Sequence, residues 1–177
     1  SGFFCILLKI FKNTNSKKFS GYLFLKKFLN HKFKTNTKFL MVDPSIEDSK
    51  ENLTFLKYKK KSNARSYIAP IYKKKIQDKK LIKCIRKFRP KYIIINLGGE
   101  VQEILALYIK NNINFQVSTI CTGAAIAFLT KRQAPINDWI DKYYLGWVFR
   151  LIYNPNKHLL RTIKSLFLIK LFFKSKK

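Results

Sequence analysis

"KYIIINLGGEVQE", residues 91–103, decides how the rest of the chain is read. Its three consecutive isoleucines, Ile93 to Ile95, have the length and β-branched composition of a strand buried on both faces, as parallel sheets require. Gly98 and Gly99 end the run, and Val101 to Lys110 resumes with apolar residues at helical spacing. Strand, glycine turn and helix in that order form the first half of a βαβ unit. Such a turn lies at the carboxyl end of its strand, where ligands of parallel sheets collect. A glycine pair lets backbone approach a ligand with no Cβ between, and the Gln102 amide offers both a donor and an acceptor to a sugar or base edge. The same residues also suit a plain turn in which Glu103 caps the following helix.

Working outward, "FQVSTI" at 115–120 predicts the next strand and "CTGAAIAFL" a glycine-started helix after it. Upstream, Ile76, Leu81, Ile82 and Ile85 form a helical stripe closed by Pro90, preceded by a short strand in "SYIAP" at 66–70. "TKFLMVD" at 37–43 predicts a strand, and Pro44-Ser45 opens a helix with Glu47, Asp48 and Glu51 at its positive end. Two further helices carry Ile6, Leu7, Ile10 and Phe11, then Tyr22, Leu25, Phe28 and Leu29, separated by the polar "KNTNSKKFSG". This alternation predicts an α/β fold, a Rossmann-like parallel sheet flanked by helices, over residues 1–134. From Pro135 onward only helices are predicted: around Ile136 to Tyr144, around Gly146 to Tyr153, and from Asn154-Pro155. Residues 135–177 thus read as an all-helical appendage. Its end sets Lys157, Arg161 and Lys164 on one face and Leu159, Leu160, Ile163, Leu166 and Phe167 on another, which suits the plane of a membrane interface.

Lys and Arg number 37 against 9 Asp and Glu, a formal charge of +28, so an anionic partner is expected. Nucleic acid, an anionic membrane surface and a phosphorylated small molecule all answer to that charge. Residues 57–91 concentrate it, with Asp78 as their sole acid, although the plainer reading of such a run is a solvated surface. A nucleic-acid module is the rival reading, motivated by the charge and by Phe and Tyr among lysines, but no RRM, KH, helix-turn-helix or zinc-finger pattern accompanies it. Cys5, Cys84 and Cys121 are odd in number and sit in apolar runs, so free thiols are expected, and His31 and His158 lack metal-ligand spacing. No metal or cofactor is expected. No uncharged run approaches the roughly 20 residues that span a bilayer, and "GFFCILLK" lacks a signal-peptide cleavage site.

From Pro90 on, the motifs are similar to those of the WecB/TagA/CpsF glycosyltransferases. That family's "VGLGxPKQE" resembles "INLGGEVQE" here, and its "VGxAFDFxxGxxxRAPxWxxxxGLEWLYRLxxEPxRLxxR" resembles the stretch from Thr122 to Arg161. Gly98, Gln102, Glu103, Gly123, Trp139, Trp147, Arg150, Pro155 and Arg161 stand at corresponding places. More weakly, "SGFFCILLKI…KKFSGYLFLKKFL" is similar to "DGxxVVxxxKLLG…ERVSGSDLxxxLL", and "TKFLMVDPSIED" to "RVFLLGGxPxVA". The resemblance implies an inverting, metal-independent transfer of an N-acetylhexosamine, such as N-acetylmannosamine, from a UDP-sugar to a polyprenyl-diphosphate-linked acceptor. It further implies work at the cytoplasmic face of a bacterial plasma membrane, in teichoic acid, capsule or related polysaccharide assembly. It also implies that an N-terminal portion of the family domain is absent here.

By the same resemblance, Lys18, Tyr72, Gly98, Gly99, Gln102, Gly123, Arg150 and Arg161 are the candidate substrate-binding residues, Tyr72 stacking on the uracil or else serving as an ordinary core or surface tyrosine. The family's catalytic aspartate falls on Ser1, which is no base at neutral pH, and the aspartate of "AFDF" falls on Ala127. A base from Glu100, Glu103 or a partner subunit, or an inactive relative, are the alternatives. Oligomeric state is not legible.

Overall fold

The computed structural model describes residues 9–10, 19–59, 63–73, 76–132, 138–143, 145–153, 155, 159 and 163. At its centre β1 (Phe39–Asp43) is buried at all five positions. It pairs in parallel with β2 (Ala64–Ile68) on one side and with β3 (Tyr92–Ile95) on the other, and β3 pairs with β4 (Ser118–Cys121), giving the order β2-β1-β3-β4. A strand flanked on both sides and covered on both faces must be apolar throughout, which is why the "FLMV" and "III" runs occupy the two central places.

Side chains alternate between the two faces. Leu40, Val42, Ile93 and Ile95 meet α3 (Lys79–Phe88) and α4 (Val101–Asn112), while Met41 and Ile94 meet α1 (Gly21–Asn30), α2 (Ile46–Tyr58) and α5 (Ala125–Leu129). α3 shows what holds such a helix: of its ten residues only Leu81, Ile82, Ile85 and Phe88 are buried, and the exposed face is cationic. Burying each of the four contributes about 1.5–3 kcal/mol. That exceeds any helix propensity, so the face is set by packing. Two short helices, α6 (Asp138–Lys142) and α7 (Gly146–Tyr153), follow. Ile140 of α6 and Phe128 of α5 form a small cluster with Tyr22, Leu145 and Phe149. Among the described residues no helix is long and apolar enough to cross a membrane.

The strands expected between residues 37 and 120, and the helices expected between Tyr22 and Tyr153, are found with shifted limits. β2 begins at Ala64 instead of Ser66 and ends before Pro70, which has no N–H to give a ladder. β4 begins at Ser118, whose N–H donates to the Lys91 carbonyl; Phe115 and Val117, expected in the strand, pack on the core from the preceding loop. α3 starts at Lys79 because Asp78 caps it, so Ile76 of the expected stripe is buried outside the helix. Gly123 does not start a helix; it sits in a turn at φ +59°, and α5 begins two residues later. Most of the helix expected to carry Ile6, Leu7, Ile10 and Phe11, the boundary expected near residue 134, and all of the chain from Asn154 on except Pro155, Leu159 and Ile163 lie outside the described residues.

Candidate functional site

The strand order creates a place for a ligand. From β1 the chain passes through α2 to β2 on one side, and from β3 through α4 to β4 on the other, so the connections diverge above the carboxyl ends of β1 and β3. Open parallel sheets bind ligands at such a divergence. Register aligns Val42 with Ile95 and Ile95 with Cys121, which sets Asp43, Asn96 and Thr122 in one row across three strand ends.

Asp43 is fully buried and joins four elements. Its Oδ1 accepts from Asn52 Nδ2 of α2 and from Asn96 Nδ2, each at 2.7 Å, and its Oδ2 accepts from Ser66 Oγ of β2 at 2.5 Å. Burial raises its pKa above the ordinary value, and the three hydrogen bonds oppose the rise without cancelling it. Asn96, only 7% exposed, directs its amide nitrogen at Asp43, which leaves its Oδ1 buried with no partner among the described residues, as is Thr122 Oγ1. Sequence reasoning missed this hub. A polar residue closing each apolar strand, in "MVD", "IIN" and "ICT", was the available signal. In the family motifs quoted above, these places hold glycine, glycine and valine.

Next to the hub lies the glycine turn. A Cβ on Gly98 or Gly99 would meet nothing within 4 Å, and neither residue has a positive φ. Neither local packing nor backbone conformation therefore requires glycine there, and the space beside the turn is open to a ligand. The left-handed angle falls instead on Glu100, at φ 72° and ψ −51°, a strained γ-turn geometry for a residue with a side chain. Glu103 closes the turn. Its carboxylate takes its own N–H and that of Glu100, accepts from Gln102 Nε2 at 2.7 Å, and is held below the usual carboxylate range chiefly by the first of these. This is the capping role that the sequence allowed.

Gln102 faces inward. It is 7% exposed, and its Oε1 accepts from the Gly123 N–H at 2.8 Å. The amide thereby ties the turn after β3 to the turn after β4 and shapes the crevice from beneath, with both ends engaged inside the protein. Gly123 is brought to the same end, as expected, through its left-handed turn. Tyr72 lies after β2, at the edge of the sheet, and its hydroxyl donates to Asp78 Oδ2 at 2.7 Å. Burial, and then that bond, raise its pKa. It is a half-buried clamp packed against the core. Ser1, Lys18 and Arg161 lie outside the described residues, and Arg150 is described only as backbone within α7.

The chain has 9 acids, all within the described residues, and eight have a structural engagement. Asp43 holds the hub and Asp78 the two tyrosines Tyr67 and Tyr72. Glu47 caps α2, Asp48 and Glu51 meet Arg132, and Glu103 caps α4. Asp138 meets Lys26, and Asp141 accepts from Ser20 Oγ. Glu100, on the open lip, is the acid for which no side-chain hydrogen bond or ion pair is found among the described residues. The described thiols are free, and burial raises the pKa of both Cys84 and Cys121, which makes them poor nucleophiles. Among the described residues no group of His, Cys, Asp and Glu could hold a metal.

Three parallel crossovers and a glycine turn opening on the switch point invite comparison with known proteins. The chain matches the Glycosyl transferase WecG/TagA/CpsF family over residues 3–177, and therefore belongs to it. No curated protein and no solved structure matches.

Proposed function

We propose that this member of the WecG/TagA/CpsF glycosyltransferases transfers an N-acetylhexosamine, such as N-acetylmannosamine, from a UDP-sugar to a polyprenyl-diphosphate-linked acceptor in cell-surface polysaccharide or teichoic acid assembly. The observation that carries the reading is the open Gly98-Gly99 turn beside the divergence of β1 and β3. A nucleotide diphosphate needs backbone approach without side chains and the positive ends of helix dipoles. The turn supplies the first, and the N-termini of α2 and α4, facing the same end of the sheet, supply the second.

Transfer with displacement of UDP needs a base at the acceptor hydroxyl. The family position falls on Ser1, so the role passes to a carboxylate of this chain's own. Glu100 takes it: it stands on the lip of the open turn, and the other acids have structural duties. Its strained backbone fits a residue retained for what its side chain does. The acceptor's lipid places the protein peripherally on an anionic membrane surface at the cytoplasmic face, where the seven bases from Lys157 to Lys177 add on the order of 1 kcal/mol each.

Release of UDP from UDP-N-acetylmannosamine, measured with a polyprenyl-diphosphate sugar acceptor, tests the assignment. Glu100→Gln is expected to lower kcat at least about a hundredfold and leave UDP affinity, measured by calorimetry, within twofold. Wild-type turnover in Glu100→Gln removes Glu100 from the mechanism. The loss of carboxylates at Ser1 and Ala127 favours one second reading, a non-catalytic relative, which binds UDP without turnover. A chain that binds no UDP contradicts both.

A further inference from the structure

Ile71 is 99% exposed, the most exposed large apolar side chain among the described residues. A lone exposed aliphatic residue is ordinary. Ile71 differs because described residues on both sides of it are anchored inward. On one side Ala69 is buried. On the other, Tyr72 turns inward and donates to Asp78 Oδ2, and Ile76 is buried. Asp78 also accepts from the Tyr67 hydroxyl of β2 at 2.8 Å and from the Leu81 N–H of α3 at 2.8 Å. One buried carboxylate therefore ties β2, Tyr72 and the start of α3 together, and Ile71 points outward beside that anchor.

The surroundings of this tip carry one sign of charge. Lys73, Lys79, Lys80 and Lys83 are all exposed. Asp78 is the only acid in the sequence between Glu51 and Glu100, and it is 6% exposed and turned to the tyrosines; no ion pair of these lysines is found among the described residues. The apolar face of α3 is buried in the core and cannot insert anywhere. The helix is thus a cationic platform beside one projecting aliphatic side chain. Loop and platform follow the carboxyl end of β2, the end of the sheet on which the crevice opens.

We infer that the Ile71 loop and the first turns of α3 form a membrane-contact site, in which Ile71 enters the headgroup and acyl boundary while Lys73, Lys79, Lys80 and Lys83 bind anionic lipid headgroups. Lipid fits better than nucleic acid because the tip is aliphatic. A single-strand site would place an aromatic ring there to stack on a base, whereas an interfacial site needs apolar area beside bases. The contact is independent of the C-terminal tail, and it faces the crevice toward the bilayer from the β2 edge. It adds an orienting contact to the proposed use of a lipid-linked acceptor, and it stands or falls by a separate measurement.

That measurement is co-sedimentation of the full chain with vesicles of phosphatidylglycerol and phosphatidylcholine, alongside phosphatidylcholine vesicles and single-stranded DNA. Wild type should bind the anionic vesicles. Ile71→Ser should weaken that binding about tenfold with no change in Tm, and Lys79→Glu with Lys80→Glu about twentyfold or more, most strongly at low salt. Vesicle binding equal to wild type in both variants overturns the inference, as does a wild-type chain that ignores anionic vesicles. So does loss of DNA binding in the lysine variant with vesicle binding intact, since the patch would then be a nucleic-acid surface. UDP affinity measured without vesicles reports the donor site, so a failure of either reading is seen alone.

Discussion

Replacing Asp43 separates the hub's hydrogen bonding from its charge. In Asp43→Ala, Asn52 Nδ2 and Asn96 Nδ2 lose their acceptor at a site with no solvent access. Each buried donor left unpaired costs about 1–3 kcal/mol. The Ser66 hydroxyl can rotate to another acceptor and is left out, so the loss is about 2–6 kcal/mol, a large part of the roughly 5–15 kcal/mol that folds such a domain. Taking about 4 kcal/mol, Tm should fall by about 8–16 °C. Asp43→Asn should behave differently. Its carbonyl still accepts from both asparagines, its amide can donate to Ser66 Oγ, and no charge is buried, so its stability at neutral pH should match or exceed that of wild type. The pH dependence supplies the second test. Because burial raises the folded-state pKa, the native protein holds its proton more tightly than the unfolded chain. Stability should therefore fall as pH rises from the ordinary Asp value of 3.8 to the raised folded value, and be flat above it. Asp43→Asn should lack that slope. Thermal unfolding followed by circular dichroism across the acid range measures both. Equal Tm for the alanine and asparagine variants, or the same acid slope in wild type and Asp43→Asn, would refute the argument.

The glycines should divide by cause. Gly123→Ala, at φ +59°, should lose about 1–2 kcal/mol of stability in urea unfolding, whereas Gly98→Ala and Gly99→Ala, with open space and no positive φ, should keep wild-type stability and lose UDP affinity by calorimetry. Retained UDP affinity in both would remove the turn from the donor site. Glu100→Gly should relieve the left-handed strain and raise stability by about 1 kcal/mol, while abolishing turnover.

Much of the sheet was visible in the sequence for a simple reason. A strand covered on both faces has to be apolar at every position, so "FLMV" and "III" announced themselves, and the glycine turn followed from where they stop. β2 was harder. It is an edge strand that includes Arg65 and Ser66, and its pairing with β1, not its composition, sets where it begins. The hub was not legible at all as a unit. Its bonds join residues 9, 23 and 53 positions apart, and only the parallel register brings Asp43 and Asn96 side by side. Gln102 was legible only in part, because its direction depends on Gly123 lying 21 residues on, across the neighbouring strand end.

These directions bear on how one charge balance serves both folding and chemistry. With only 9 acids against 37 bases, each carboxylate removed from structural work leaves cations without partners. Eight of the acids cap helices, clamp loops or close ion pairs, and the two most buried, Asp43 and Asp78, organise the strand ends that frame the crevice. Glu100, on a strained backbone at an open turn, does none of this among the described residues. Glycine at residue 100 would relieve the angle, since glycine adopts positive φ without steric penalty. Arg89, the C-cap of α3, and Lys131 also have positive φ, so the angle alone does not mark a functional position; at Glu100 it coincides with the open turn. What supports the role proposed for Glu100 is this coincidence: an acid with no side-chain partner among the described residues, at the lip of an open turn, on a backbone that glycine would adopt more easily.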